Sequence, residues 1–521
     1  MLITNFPHLP ASLWPSRNRV GNLKVPIASS RRILPALLCY LNIASNQVAI
    51  ASPTVPVAKS EHPQLLLAQA GDRDYCINRV ENNTRQILLK LIELEKFNLN
   101  YHANVAKQGR WKGWRYFVSQ EGNNLITMGG CITGMVERTS RFNSNRRLHR
   151  NTLETGNALG MAGQLTGAGG STVEFLINGY HELEARKKGY GPKAAKEKVL
   201  AIRKEIDSLL IEREKLLSDL QKVCTDSKYI ALARAEEPVF IDMRDISLDE
   251  FKQFHLHLRR VLAFQQSLYL FDVARNVVGA FGNREGWRAN KTGNRTSNTS
   301  AGILFETSGM LTILNPFISR GVGKVAEKYE ARRIKPCMEG VNPADVEKLA
   351  ADLERVRMIA NSPELERADL PLIRSAMYSQ HEVGVRKQIH IEEAQQRAGV
   401  LTAAENVISG TLIGSTKIAS GVLFNIAGTK YYNNGRETNI FLGVAGIVSL
   451  TGLGYGTAET ARIQIKRELQ YQRAKKKHEL PGQIMKDRMA QLDEMEKALS
   501  APTPISFVPH TNEDAEPDMR M

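Results

Sequence analysis

At 521 residues the chain has room for roughly two to four domains, and Lys plus Arg (70) outnumber Asp plus Glu (54), a net charge of +16. A mean hydropathy of −0.30 excludes a protein that is mostly embedded in lipid, but it leaves room for a few apolar segments between charged ones. The positive balance points to an anionic partner, a phospholipid surface or a nucleic acid, against the plain alternative of a basic solvated surface.

The chain opens without acids; Glu61 is the first. Ser30-Arg31-Arg32 precedes the apolar run 33–41, and Ala49-Ile50-Ala51 supplies small residues around a cleavage point. A basic leader, an apolar stretch and a small-x-small triplet predict an export signal over 1–51, and the adjacent arginines resemble a twin-arginine signal. An organellar transit segment, which also lacks acids, is the alternative. Residues 52–72 read as a linker, with Ala68-Gln69-Ala70 as a second cleavage candidate. Removal of the leader takes Cys39 and leaves Cys76, Cys131, Cys224 and Cys337, an even set compatible with disulfides of open connectivity. Cys131, in an apolar glycine-rich run, reads as a packing residue.

The phrase "ETGNALGMAG" at 154–163 returns as "ETNIFLGVAG" at 437–446. Each opens an uncharged, glycine-rich run, from Thr155 to Val173 and from Thr438 to Ala458. Each is preceded, across a loop rich in Asn and Arg, by another apolar stretch: 125–136 before the first, and 406–428, interrupted by Lys417, before the second. Such pairs predict helical hairpins. A third pair, 261–282 with 296–319, lies between them.

The fold class is therefore mainly α. Three tandem units are expected, each a glycine-rich apolar hairpin followed by a charged, coiled-coil-like helix. The first covers 73–228 (hairpin 125–173, charged helix 182–223). The second covers 229–340 (hairpin 261–319), and the third 341–500 (hairpin 406–458 and charged exit helices). A polar tail, 501–521, reads as disordered. In the first charged helix Val199, Ile202, Ile206, Leu209, Leu216, Leu220 and Val223 step by three and four, and Arg213 breaks the seam. Asn342 before Pro343 predicts the cap of another helix. Only 229–243 has the composition of a strand.

Glycine inside a helix costs about 1 kcal/mol per position, so these runs need an offsetting gain. Close approach of two backbones supplies it. Gly130 and Gly134, Gly160, Gly163 and Gly167, Gly410 and Gly414, and Gly443 and Gly446 recur at three- and four-residue spacing, the pattern of helices that touch main chain to main chain in bilayers. Crossing a bilayer takes about 20 apolar residues. The run 438–458 meets this, 155–173 nearly does, and 125–136 falls short.

Ionisable residues sit in or beside the apolar segments: Glu174, Asp272 with Arg275, Glu306 and Lys417. In lipid they would face one another or an aqueous path; in a soluble bundle they would mark its wet edge. The hairpin tips carry Arg146, Arg147 and Arg150, then Arg284, Arg288 and Arg295, then Arg436. If the N-terminus is exported the tips emerge inside, in keeping with the positive-inside tendency.

No catalytic, cofactor or metal constellation is found, and no enzyme is expected. Gly321-Val322-Gly323-Lys324 lacks the upstream glycine and following hydroxyl of a phosphate loop, and His381-Glu382 has Val385 where a zinc-protease helix needs its second histidine. The pattern implies a membrane-associated helical scaffold or assembly protein of a bacterial envelope or an organelle membrane, with pore formation or transport as an extension. Its partners would be a bilayer with anionic headgroups and a second copy or another helical protein; nucleic acid is not expected for an exported chain. The alternative is a soluble all-helical interaction protein that binds an acidic partner through its basic loops.

Overall fold

The computed structural model describes residues 63–105, 110–140, 148–223, 227–343, 345–360, 407–477 and 480–500. Among these every regular element is helical. The export segment 1–51, the tail 501–521, Arg146, Arg147, Cys224 and the His381 region lie outside the described residues. The helices are α1 (Pro63–Val105), α2 (Arg110–Thr139), α3 (Arg150–Ala185), α4 (Pro192–Val223), α5 (Ser227–Thr292), α6 (Ser297–Ile334), α7 (Val346–Ala360), α8 (Val407–Thr429), α9 (Gly435–Lys476) and α10 (Pro481–Ser500). Cys76, Cys131 and Cys337 are free thiols, so no disulfide joins them.

Four expectations are corrected. The linker 52–72 ends early, because α1 begins at Pro63, a residue suited to a first helical turn. The strand-like stretch 229–243 lies within α5. Its Ile230, Ala233, Val239, Phe240 and Met243 are buried, and packing along a helical face overrides β propensity. The charged helix 182–223 is divided. After Ala185 comes a π-helical turn, Arg186–Tyr190, in which Gly189 takes φ +82°, and α4 starts afresh at Pro192. Asn342 does not cap α7: its side-chain amide donates to Asp245 Oδ2 (3.1 Å), while Asp345 Oδ1 accepts from the Lys348 amide (2.9 Å).

The helices sort into two bodies of opposite chemistry. In the first, α1, α4, the N-terminal half of α5, α7 and α10 enclose ordinary hydrophobic cores. Leu94, Ile202, Ile206, Phe240, Phe251 and Leu353 belong to the largest, and Leu220 and Leu492 to two smaller ones. Arg213, the break in the α4 seam, is buried here. Its guanidinium donates to Glu236 (3.0 Å), the Ala233 carbonyl (2.6 Å) and the Thr84 hydroxyl (3.2 Å), and it lies over the Phe240 ring.

Two histidines, His255 buried and His102 half-buried, lie where α1 meets α5. His255 Nδ1 is 2.8 Å from the Tyr101 hydroxyl and Nε2 is 3.5 Å from Glu330, with Arg259 and Lys196 also nearby. Burial, aided by Arg259, pushes His255 down to about 4. Burial alone pushes His102, stacked on Phe254, down to about 3. Both stay neutral in the fold but titrate near 6.5 once unfolded, so the unfolded chain binds more protons between these values. Their contribution is complete above about pH 6.5 and is lost as pH falls towards 4. For His255 the loss between pH 7 and pH 5 comes to about 2 kcal/mol. Thermal unfolding of the purified chain at the two pH values should show a lower melting temperature at pH 5, and His255→Gln should shrink the difference.

In the second body, helices succeed one another in a closed circuit. α2 packs on α3, α3 on α5, α5 on α6, and α9 returns to α2. α6 touches α8 at Gly302 and Gly421, and α8 touches α9 where Ser420 donates to the Ala445 carbonyl. α5 has 66 residues, roughly 100 Å at 1.5 Å per residue, and serves both bodies. The hairpins α2–α3, α5–α6 and α8–α9 hold consecutive places around the circuit. The charged segments after them are not alike: a separate helix follows the first, whereas the second and third run on within α6 and α9.

Candidate functional site

The circuit is held by glycines, of two kinds. At the first kind, backbone meets backbone. A Cβ on Gly130 would overlap the Gly156 carbonyl and stand 2.8 Å from the Gly160 nitrogen; one on Gly156 would stand 2.9 Å from the Gly130 carbonyl and 3.2 Å from the Gly134 nitrogen. A Cβ on Gly163 would lie 2.8 Å from the Asn123 carbonyl. Gly302 and Gly421 oppose each other in the same way, at 2.6 and 2.7 Å, as do Gly309 and Gly414, at 2.7 and 2.8 Å.

At the second kind, glycine makes room for a side chain. Gly160 faces Asn283, Gly167 faces Asn123 and Asn276, and Gly446 faces Met135 at 3.3 Å. Gly410 makes only ordinary contact, 3.5 Å from the Thr312 carbonyl, and Gly443 is buried on α9. The sequence reading pairs α8 with α9, yet the tightest contacts of Gly414 cross to α6 in the neighbouring hairpin. Spacing does not mark Gly302, Gly309 and Gly421, whose contacts cross from one hairpin to the next, or Gly156, which meets Gly130 and Gly134 within its own hairpin.

The inner side of the circuit is polar. Gln120, Asn123 and Thr127 of α2, Gln164 and Ser171 of α3, Asp272 and Asn276 of α5, Ser308, Thr312 and Asn315 of α6 and Ser420 of α8 are all buried. The buried hydrophobic residues of these segments are few and mostly alanine, among them Ala168, Ala280, Ala301, Ala427 and Ala445. The outer side is apolar. Val118, Leu125 and Ile132 are exposed at seven-residue steps along α2. Ile303, Met310, Leu314, Phe317 and Val325 line one face of α6, and Leu165, Leu176, Val444 and Ile447 are exposed on α3 and α9. A soluble domain has the reverse arrangement, and it rarely exposes apolar patches this extended.

The ionisable residues singled out by sequence divide by role. Glu174 is buried and accepts from Arg115 Nε at 2.8 Å. Asp272 ties three helices together: it pairs with Arg275 (2.9 Å) and accepts from Asn315 Nδ2 (3.0 Å) and from the Tyr116 hydroxyl. Arg275 also reaches Gln120 Oε1 at 3.5 Å. Glu306 lays its stem against Gly421 on α8. Lys417 differs from these, since no carboxylate among the described residues lies within ion-pair distance of it.

Of the tip arginines, Arg150 pairs with Glu154 (2.7 Å), Arg288 lies 3.8 Å from Glu285, and Arg284 and Arg436 are exposed. Arg295 joins the second tip to the third by donating to the Tyr432 carbonyl (3.0 Å). The third tip is closed by Asn434, whose side chain accepts from the Arg436 and Glu437 amides and so caps α9. Arg138 is buried and draws all three hairpins together, donating to Asn439 (3.0 Å) and Asn290 (3.2 Å).

A cavity of about 100 Å³ occupies the centre of the circuit and is lined by residues of all six helices, among them Arg138, Gln164, Phe305, Lys417 and Ser449. No Asp or Glu is among its lining residues. Gln164 Oε1 and both side-chain polar atoms of Asn276 are buried without a hydrogen-bond partner among the described residues.

Three helical stretches among the described residues are long and apolar enough to cross a membrane: Ser297–Met338, Val407–Thr429 and Gly435–Lys476. They are α6 with the turn that follows it, α8 and α9. Comparison with family models, curated proteins and solved structures finds no match.

Proposed function

We propose that the chain is a membrane-embedded helical assembly protein. The glycine-packed circuit crosses the bilayer, and the body built on α1, α4, α7 and α10 stands in water as a scaffold. The observation that carries this is the inversion between the two bodies: one has a hydrophobic core, the other a polar interior under an apolar surface. Each large apolar side chain gains about 1.5–3 kcal/mol on leaving water, so the belt that includes Leu125, Met310, Leu314 and Ile447 favours lipid strongly. The pairing of Glu174 with Arg115 and of Asp272 with Arg275 fits the same setting, because charges in a bilayer are costly unless they meet partners inside the bundle.

Exposed Arg284 and Arg436 at the tips suit anionic headgroups. The acid-free leader supports a bacterial envelope or, as the second choice, an organelle membrane. The polar centre of the circuit serves as a chamber or path for a small solute, the transport-related extension of this reading.

An alkaline carbonate wash of membranes from cells expressing the full chain tests insertion. The protein should stay in the pellet. Release of intact protein would instead favour the alternative, a soluble interaction protein whose apolar face is covered by a partner.

A further inference from the structure

We infer that the central cavity is a binding site for a small monovalent inorganic anion of about the size of chloride, held by Lys417 and Gln164. The inference rests on the lumen in the proposed function and names what that lumen takes.

Three observations converge. First, the charge in the cavity is one-sided. Lys417 and Arg138 line it, no carboxylate does, and neither cation has a carboxylate within ion-pair distance among the described residues. Asp272, the acid drawn into the centre of the circuit on α5, is already committed to Arg275, Asn315 and Tyr116. A cation enclosed in a medium of low polarity carries a desolvation cost unless an opposite charge offsets it. A mobile anion provides that charge where the fold does not.

Second, a hydrogen-bonding group is left over. Gln164 is only 4% exposed, lines the cavity, and its Oε1 has no partner among the described residues. Buried polar groups normally have partners, in the protein or in something bound. A carboxamide turned over presents N–H donors in place of its oxygen, and the two orientations are near-equivalent in shape. The lining hydroxyls cannot substitute for it. Ser308 donates to the Arg275 carbonyl, Thr416 to the Ile413 carbonyl and Ser449 to Ser420. This leaves the Lys417 ammonium and the Gln164 amide as the donors beside Arg138, whose guanidinium already donates to Asn439 and Asn290.

Third, the size fits. About 100 Å³ is several times the roughly 10–15 Å³ that one water needs on the same measure, enough for one small anion with part of its hydration shell. The Gly130, Gly160 and Gly279 backbones form part of the wall.

The test uses the purified full chain in detergent at constant ionic strength, with chloride replacing gluconate, a much bulkier organic anion. Chloride should raise the melting temperature saturably. Lys417→Met should weaken the apparent affinity roughly tenfold to a hundredfold, the effect of losing a hydrogen bond to a charged group, and Lys417→Arg should retain the response. If Lys417→Met does not fold, Gln164→Leu serves in its place, with a weakened response expected. No saturable response in the wild type, or an unchanged one in the folded Met or Leu variant, overturns the site. The carbonate wash of the wild type separates the two claims. Retention without a chloride response removes the anion site alone, whereas a chloride response in a chain that carbonate releases keeps the site and removes the membrane.

Discussion

Gly130→Ala is expected to open the seam between α2 and α3. The added methyl overlaps the Gly156 carbonyl and lies 2.8 Å from the Gly160 nitrogen, so neither partner has a rotamer with which to move aside. Overpacking of this kind costs about 1–3 kcal/mol and at times more, against a gain of about 1 kcal/mol for replacing glycine by alanine in a helix. Two controls set the scale. Gly169 has nothing within 4 Å of its would-be Cβ, so Gly169→Ala should keep that gain and raise stability. Gly446 meets Met135 Cβ at 3.3 Å, a side-chain contact that yields by a few tenths of an ångström, so Gly446→Ala should be nearly neutral while Gly446→Leu parts α9 from α2. Melting of the purified variants in detergent measures all four. Equal, small effects at Gly130 and Gly169 would contradict close backbone contact.

The other large effect is expected at Arg213. Arg213→Met keeps most of the side-chain volume but takes away the buried guanidinium that pairs with Glu236 and donates to the Ala233 carbonyl and the Thr84 hydroxyl. Breaking a buried pair by removing one partner costs about 3–5 kcal/mol, while removing both often costs little. Arg213→Met should therefore lower the urea midpoint of the water-facing body sharply, and Arg213→Met with Glu236→Leu should recover much of the loss. A double variant as unstable as the sum of its parts would show that the two groups do not act as a pair.

These two residues also show what the sequence makes legible. Arg213 is visible as a fault in the α4 seam, but its partner lies on α5, in a stretch whose composition reads as strand. The hairpins are legible because glycine, alanine and small polar residues recur at helical spacing between charged stretches. Their closure into a circuit is not, because it depends on contacts such as Gly302 with Gly421 and Gly309 with Gly414 between helices more than a hundred residues apart. The ionisable residues stand out as interruptions of apolar runs. Which of them is neutralised is decided in three dimensions: Asp272 finds Arg275, Asn315 and Tyr116, and Lys417 finds no carboxylate among the described residues. Length alone misjudges α5, which reads as two segments and is one helix shared by both bodies, because a polar interval between apolar runs does not break a helix whose other faces are packed.

The inside-out arrangement of the circuit is the central claim, and nitroxide accessibility in lipid vesicles tests it most directly. Single labels at Leu125, Met310 and Ile447, with the native cysteines replaced, should relax with oxygen, which concentrates in the acyl chains, and resist an aqueous nickel chelate. A label at Glu214, exposed on α4, should respond in the opposite sense. Strong nickel access at Leu125, Met310 and Ile447 would place that surface in water and contradict the membrane reading.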